Sequence, residues 1–278
     1  MGIPGLDFGG QGKPLVFLHA NGYPPACYRP LLEELARRFR VYAPLLRPLW
    51  RGESPNALQD WHPLSHDLLR YLEENGLEGV IGVGHSVGAT ALLRAALWQP
   101  ERFRALFLLD PVLFPPSFML FWSLVRALGL GYRLHPLIPL ALRRRRTFDD
   151  LEKVFQAYRR RALFRYFSDE ALRAYIHGIV QPGVNGMYTL VYSPEWEARI
   201  YYTSVWRDWD IWRNLPALRL PTLILRGAET DTFLERTARY VQRRAPQLRI
   251  ETLERSTHLL PLERPQEVAQ KIYESRIV

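Results

Sequence analysis

The chain has 278 residues, 47% of them hydrophobic and 23% charged, with a formal net charge of +9. This profile excludes global disorder and suits a sizeable core, either one large α/β domain or a core with an insertion. A single cysteine, Cys27, excludes an intramolecular disulfide and any cysteine-built metal site, and no run of ~20 uninterrupted apolar residues is present to span a membrane.

Pro14 to His19 is a short apolar run closed by Asn21-Gly22, which predicts a buried strand. Leu31, Leu32, Leu35 and Phe39 have helical spacing and place a helix over 28–38. Phe39 to Ala43 is a second strand, stopped by Pro44. An amphipathic helix over Leu64 to Glu74 ends at Asn75-Gly76. Val80 to Val83 is a third strand that runs directly into Gly84-His85-Ser86-Val87-Gly88 and then into the alanine- and leucine-rich helix Ala89 to Trp98. Ala105 to Leu109 is a fourth strand, ended by Asp110-Pro111. Apolar strands alternating with amphipathic helices predict an α/β fold: a mostly parallel central sheet covered by helices on both faces.

From 111 to about 215 the alternation stops, and the segment reads as helices over 118–128, 151–166 and 169–177. It is too long for a plain connection between strands and predicts a helical cap inserted into one core formed by 1–110 and 216–278. Here lie the arginine runs Arg143 to Arg146 and Arg159 to Arg161, in a chain with 34 arginines and 3 lysines. No nucleic-acid motif accompanies them, so they read as a solvated helix face and no nucleic-acid partner is expected. The alternation returns with strands at 221–225 and 248–253 and helices at 233–244 and 266–276. The N-terminal residues carry no basic region followed by an apolar run, so the reading expects a cytoplasmic protein with no membrane partner; a homo-oligomer stays open. Few Asn, few Gln and one Cys suggest a thermophile, an expectation that a melting temperature near ~50 °C would contradict.

Gly84-x-Ser86-x-Gly88 between a strand and a helix has the context of a nucleophile elbow. A sharp reversal lifts the Ser86 hydroxyl off the sheet and puts the Val87 N–H at a helix N-terminus, where it can donate to an oxyanion. Gly82-x-Gly84 also resembles the start of a dinucleotide loop, but the third glycine position holds Val87. Serine needs a base, and His258, on the turn between the last strand and last helix, is the best placed of seven histidines. The base needs an acid. Asp231, Asp110 and Glu229 all follow C-terminal strand ends, where ligands bind in open α/β sheets; Asp231 gives the order Ser, Asp, His and is preferred, with Asp110 as the alternative. A second oxyanion donor is expected from the backbone N–H of Asn21, in the loop His19-Ala20-Asn21-Gly22. Trp122, Trp196 and Trp206 in the cap are candidate pocket residues, with Trp61 as a further candidate.

Taken together, His19-Ala20-Asn21-Gly22-Tyr23-Pro24, the Gly84–Gly88 run, Arg226-Gly227 to Asp231, and His258 to Pro265 resemble the ordered landmarks of the α/β-hydrolase-fold superfamily, from about residue 14 onward. The resemblance implies a Ser86–His258–Asp231 triad, oxyanion donors at Asn21 and Val87, no cofactor or metal, and a cap forming the pocket for a small-molecule acyl substrate. Two features depart from the usual pattern: Ala20 replaces a glycine, and Asp231 lies four residues after Gly227, where many members place the acid three after. The stretch ahead of residue 14 leaves little room for the fold's leading strands. Haloalkane dehalogenases and epoxide hydrolases of this fold use Asp as nucleophile, which Ser86 does not match. The function expected is a serine hydrolase cleaving a carboxylic ester or related acyl substrate. An acyltransferase, a C–C bond hydrolase with the same triad, and a non-catalytic binder on the same fold are the alternatives.

Overall fold

The computed structural model describes residues 2–275. Strand β2 (Pro14–Leu18) shows how the chain organises its core. Successive side chains on a strand point to opposite faces, and here both faces are apolar and buried. Leu15 and Phe17 join one hydrophobic core with Ile81, Val83 and Phe107, while Val16 and Leu18 join a second with Val80, Leu106 and Leu108. A strand buried on both sides belongs in the middle of a parallel sheet.

That sheet has seven strands. After β1 (Gly5–Gly9) and β2 come β3 (Arg40–Pro44), β4 (Val80–His85) and β5 (Phe103–Leu109). The connection from β5 carries a small antiparallel sheet of β6 (Thr147–Phe148), β7 (Val180–Pro182) and β8 (Tyr188–Leu190), after which β9 (Thr222–Gly227) and β10 (Arg249–Leu253) complete the main sheet. The order is β1-β3-β2-β4-β5-β9-β10, parallel except for β1 against β3. The α/β architecture expected from the alternation is present. A leading antiparallel strand exists, at the edge, although the stretch before residue 14 is short.

The direction in which successive strands are added to the sheet reverses between β2 and β4, since β3 lies on one side of β2 and β4 on the other. The crevice at the carboxyl ends of such neighbours is where ligands bind. The loop after β2 and the turn after β4 both open there.

Between β5 and β9 the chain is mostly helical, including helices Pro116–Ala127, Leu137–Leu142, Leu151–Arg159, Asp169–Ile179, Pro194–Tyr202 and Trp209–Asn214. The helix expected over 151–166 stops at Arg159 and gives way to a short 3-10 turn over Ala162–Phe164. Two- and three-residue strands give too few alternations to be seen in the sequence, so the small sheet was not anticipated. The final helix runs Pro265–Glu274; its expected end at Arg276 lies outside the described residues. No helix among the described residues is long and apolar enough to cross a membrane.

Candidate active site

The turn after β4 is tight because it must be. A Cβ on Gly84 would stand 2.7 Å from the Ala89 Cα, and one on Gly88 would stand 2.4 Å from the Leu18 carbonyl oxygen. Only glycine lets the strand, the turn and the helix Val87–Trp98 approach this closely. Ser86 sits between them at φ 57°, ψ −124°, a strained conformation for a residue with a side chain. Its N–H donates to the Leu109 carbonyl at 3.1 Å, which ties the elbow to the end of β5.

The Ser86 hydroxyl lies 3.0 Å from His258 Nε2. His258 Nδ1 lies 2.7 Å from Asp110 Oδ2. A nitrogen facing a carboxylate carries the proton, so Nδ1–H donates to Asp110 and Nε2 is left to accept from Ser86 Oγ–H.

The carboxylate that meets His258 is therefore Asp110, and the preference for Asp231 is corrected. Asp110 is fully buried at the end of β5, with φ 43°. Its Oδ1 accepts from the Gly227 N–H at 3.1 Å, and its Oδ2 also accepts from the Thr230 hydroxyl at 2.6 Å. The turn after β9 thus serves the acid and does not supply it: Thr230 turns inward to Asp110, and the next residue, Asp231, turns outward. Asp231 is exposed at the lip of the cavity, where its Oδ1 accepts from Thr232 at 3.1 Å. Glu229 is exposed as well and pairs with Arg165 and Tyr166.

The His258 loop is held from three sides. Glu263 accepts from the Thr257 N–H and hydroxyl, both at 2.7 Å. Gly227 packs beneath it, where a Cβ would stand 2.3 Å from the Thr257 carbonyl oxygen. His85, unassigned by the sequence reading, donates from Nε2 to the His258 carbonyl at 2.7 Å, and its Nδ1 accepts from Tyr28 Oη at 2.7 Å. Tyr28 Oη in turn accepts from the Ala20 N–H at 3.2 Å. Burial holds His85 well below the usual imidazole range, which keeps it neutral and able to accept and donate at once. His19 is locked in the same manner: Nδ1–H donates to the Ala20 carbonyl at 2.8 Å and Nε2 accepts from the Leu46 N–H at 3.1 Å. Burial lowers it to about 4. The sequence showed these histidines flanking the two key loops but not that both are buried supports.

Asn21 and Val87 border the cavity beside Ser86. Neither backbone N–H has a hydrogen-bond acceptor among the described residues, so both are available to a ligand oxygen. The Asn21 side chain is fixed by the insertion: its Nδ2 donates to the Glu197 carbonyl at 3.0 Å, and its Oδ1 accepts from Tyr192 Oη at 2.9 Å.

The cavity over Ser86 has a volume of about 1310 Å³. Trp122 borders it, as expected, and so do Trp61, Phe118 and Tyr201. Trp196 and Trp206 do not, which corrects both. Trp196 is buried in the hydrophobic core that also holds Ile200 and Tyr192. Trp206 donates to the Gln59 carbonyl at 3.1 Å and carries Arg126 over its ring. Tyr23 and Tyr175, not anticipated, also reach the cavity. No group of three or more His, Cys, Asp or Glu among the described residues is arranged to hold a metal ion.

A hydroxyl on a strained elbow, an imidazole and a buried carboxylate on one crevice of a mostly parallel sheet define the class of α/β-fold proteins built around a nucleophile turn. Residues 15–271 match the Alpha/beta hydrolase family, and the chain belongs to it. A 103-residue stretch is 32% identical to an epoxide hydrolase of Caballeronia sordidicola, covering 35% of this chain and 31% of that protein; the chain thus matches about a third of such relatives' length. Among solved structures, E-2-(acetamidomethylene)succinate hydrolase superposes with a TM-score of 0.77 at 19% identity, covering 99% of this chain and 94% of that one. The M. tuberculosis esterase superposes with a TM-score of 0.74 at 20% identity, covering 99% and 88%.

Proposed function

We propose that the protein is a serine hydrolase that cleaves a carboxylic ester or related acyl substrate through an acyl-enzyme on Ser86. The observation that carries this reading is the unbroken hydrogen-bond chain from Ser86 Oγ through His258 to Asp110. Ser86 Oγ attacks the acyl carbonyl while His258 Nε2 takes its proton. The N–H groups of Asn21 and Val87 receive the charge that develops on the carbonyl oxygen. His258 then passes the proton to the leaving group, and water, deprotonated by the same nitrogen, releases the acid. Asp110 holds the imidazole in the correct tautomer and stabilises its charged form.

The epoxide hydrolase match does not carry that chemistry over. An epoxide hydrolase of this fold needs a carboxylate nucleophile, and the nucleophile position here is Ser86. The insertion acts as a cap: it supplies Trp122, Phe118 and Tyr201 to the cavity and so selects an apolar acyl group. A fluorophosphonate probe should label Ser86, and Ser86→Ala should abolish labelling and lower ester turnover by about 10⁴–10⁶-fold. An unlabelled native protein with no turnover of p-nitrophenyl acyl esters would refute the reading.

A further inference from the structure

The insertion carries a surface that the hydrolase reading does not use. Residues 111–148 contain no Asp or Glu and six arginines. The helix Pro116–Ala127 is apolar nearly all round. Met119, Trp122 and Val125 face inward, while Leu120 (61% exposed) and Leu124 (59%) face solvent, followed by Leu128 (63%) just past the helix end. Leu140, on the next long helix of the segment, is 62% exposed. A helix with apolar residues on its solvent side as well as its core side is unlike a surface helix of a globular protein, and contiguous exposed apolar surface marks an interaction site.

Two observations say what lies against it. Phe121, Leu134, Leu137 and Leu140 belong both to this surface and to the cavity wall, so the patch is continuous with the mouth over Ser86. Arg133 and Arg143 stand among the leucines with no carboxylate partner among the described residues. Exposed leucines interspersed with free arginines match an anionic lipid surface, where acyl chains take the leucines and headgroups take the guanidinium groups. A second copy of the chain is a poor occupant, because apposing this face with itself would set arginine against arginine with no acid from 111–148 to offset them.

We propose that this face, whose segment 111–148 carries no Asp or Glu, docks on an anionic lipid surface and turns the mouth of the cavity toward it. Apolar substrates would then enter from the lipid phase. Neither a spanning helix nor a leader segment is needed for such docking, so the proposal replaces the expectation of no membrane partner, which rested on the lack of both.

The test is flotation of the full-length protein with vesicles of phosphatidylcholine mixed with phosphatidylglycerol, and with phosphatidylcholine alone. The native protein should float with the mixed vesicles, bind the neutral ones more weakly, and lose most of that difference in high salt. The double variant L124E/L128E, at residues outside the cavity, should bind the mixed vesicles about tenfold or more less tightly while keeping its circular dichroism spectrum. Val184→Glu, an exposed apolar residue on a different hairpin, should bind as the native protein does. The proposal is overturned if the native protein stays unbound, if neutral and anionic vesicles bind it equally, or if V184E loses as much binding as L124E/L128E. It is also overturned if sedimentation shows a native dimer that L124E/L128E dissociates. Binding is read without turnover, so its failure leaves the Ser86 chemistry standing, and the reverse holds.

Discussion

At the scale of single residues, the acid is where sequence and structure part. Asp110 and Asp231 both follow strand ends, and chain order favoured Asp231. Order could not show that the turn after β9 spends the Gly227 N–H and the Thr230 hydroxyl on Asp110. The proposed roles separate cleanly in kinetics. Asp110→Asn removes the acceptor that fixes the His258 tautomer and should lower kcat by about 10³–10⁴-fold. Asp231→Asn, at an exposed position whose carboxylate accepts only from Thr232, should leave kcat within about threefold. Equal losses from the two would count against Asp110. Ser86 and His258 were legible because the glycine spacing and the turn before the last helix are local signals. The supporting role of His85 was not, since it depends on Tyr28 and on a loop 173 residues away.

At the scale of elements, a buried charge network ties the insertion to the core. Arg94, on the helix that starts at the elbow, is fully buried and pairs with Asp208 and Asp210, the latter at 2.9 Å. His62, at the start of the helix His62–Glu74, places Nε2 3.5 Å from Asp210 and Nδ1 3.0 Å from Asp60. Arg94→Ala would strand the Asp208 carboxylate in the interior and should cost about 3–5 kcal/mol by urea denaturation. A cost below about 1 kcal/mol would show that the network contributes little. Asp210 and Asp60 raise His62 to about 9. A folded-state value above the unfolded one means that the contribution is complete below pH ~6.5 and disappears as the pH rises toward 9. Urea midpoints measured across that interval should fall in the native protein and stay flatter in His62→Gln. The periodicities that reveal a helix hold no record of such pairs, so this joint was invisible in the sequence: its two core helices were placed, but the insertion helix Trp209–Asn214 that carries Asp210 was not.

At the scale of the whole molecule, the cavity volume of about 1310 Å³ exceeds the roughly 300–1,000 Å³ usual for small-molecule sites. Short acyl groups would leave much of it unfilled. Under the proposed chemistry, kcat/KM on p-nitrophenyl esters should therefore rise with acyl chain length from acetate to at least octanoate. A maximum at acetate would contradict it. The fold was legible because the central strands β2, β4, β5 and β9 are apolar runs, whereas the edge strand β1, Gly5–Gly9, is largely exposed and was not read from the sequence; the cavity depends on how the helices of the insertion lean over the sheet, which no single stretch encodes. Asn21 draws a last consequence from that arrangement. Its backbone stands on the core, yet its side chain is gripped by the Glu197 carbonyl and the Tyr192 hydroxyl of the insertion. Under the proposed function, specificity and catalysis are thus not separately exchangeable modules: a chimera given a relative's insertion should inherit a new pocket together with a loosened first loop, unless the grafted segment brings its own clasp for Asn21.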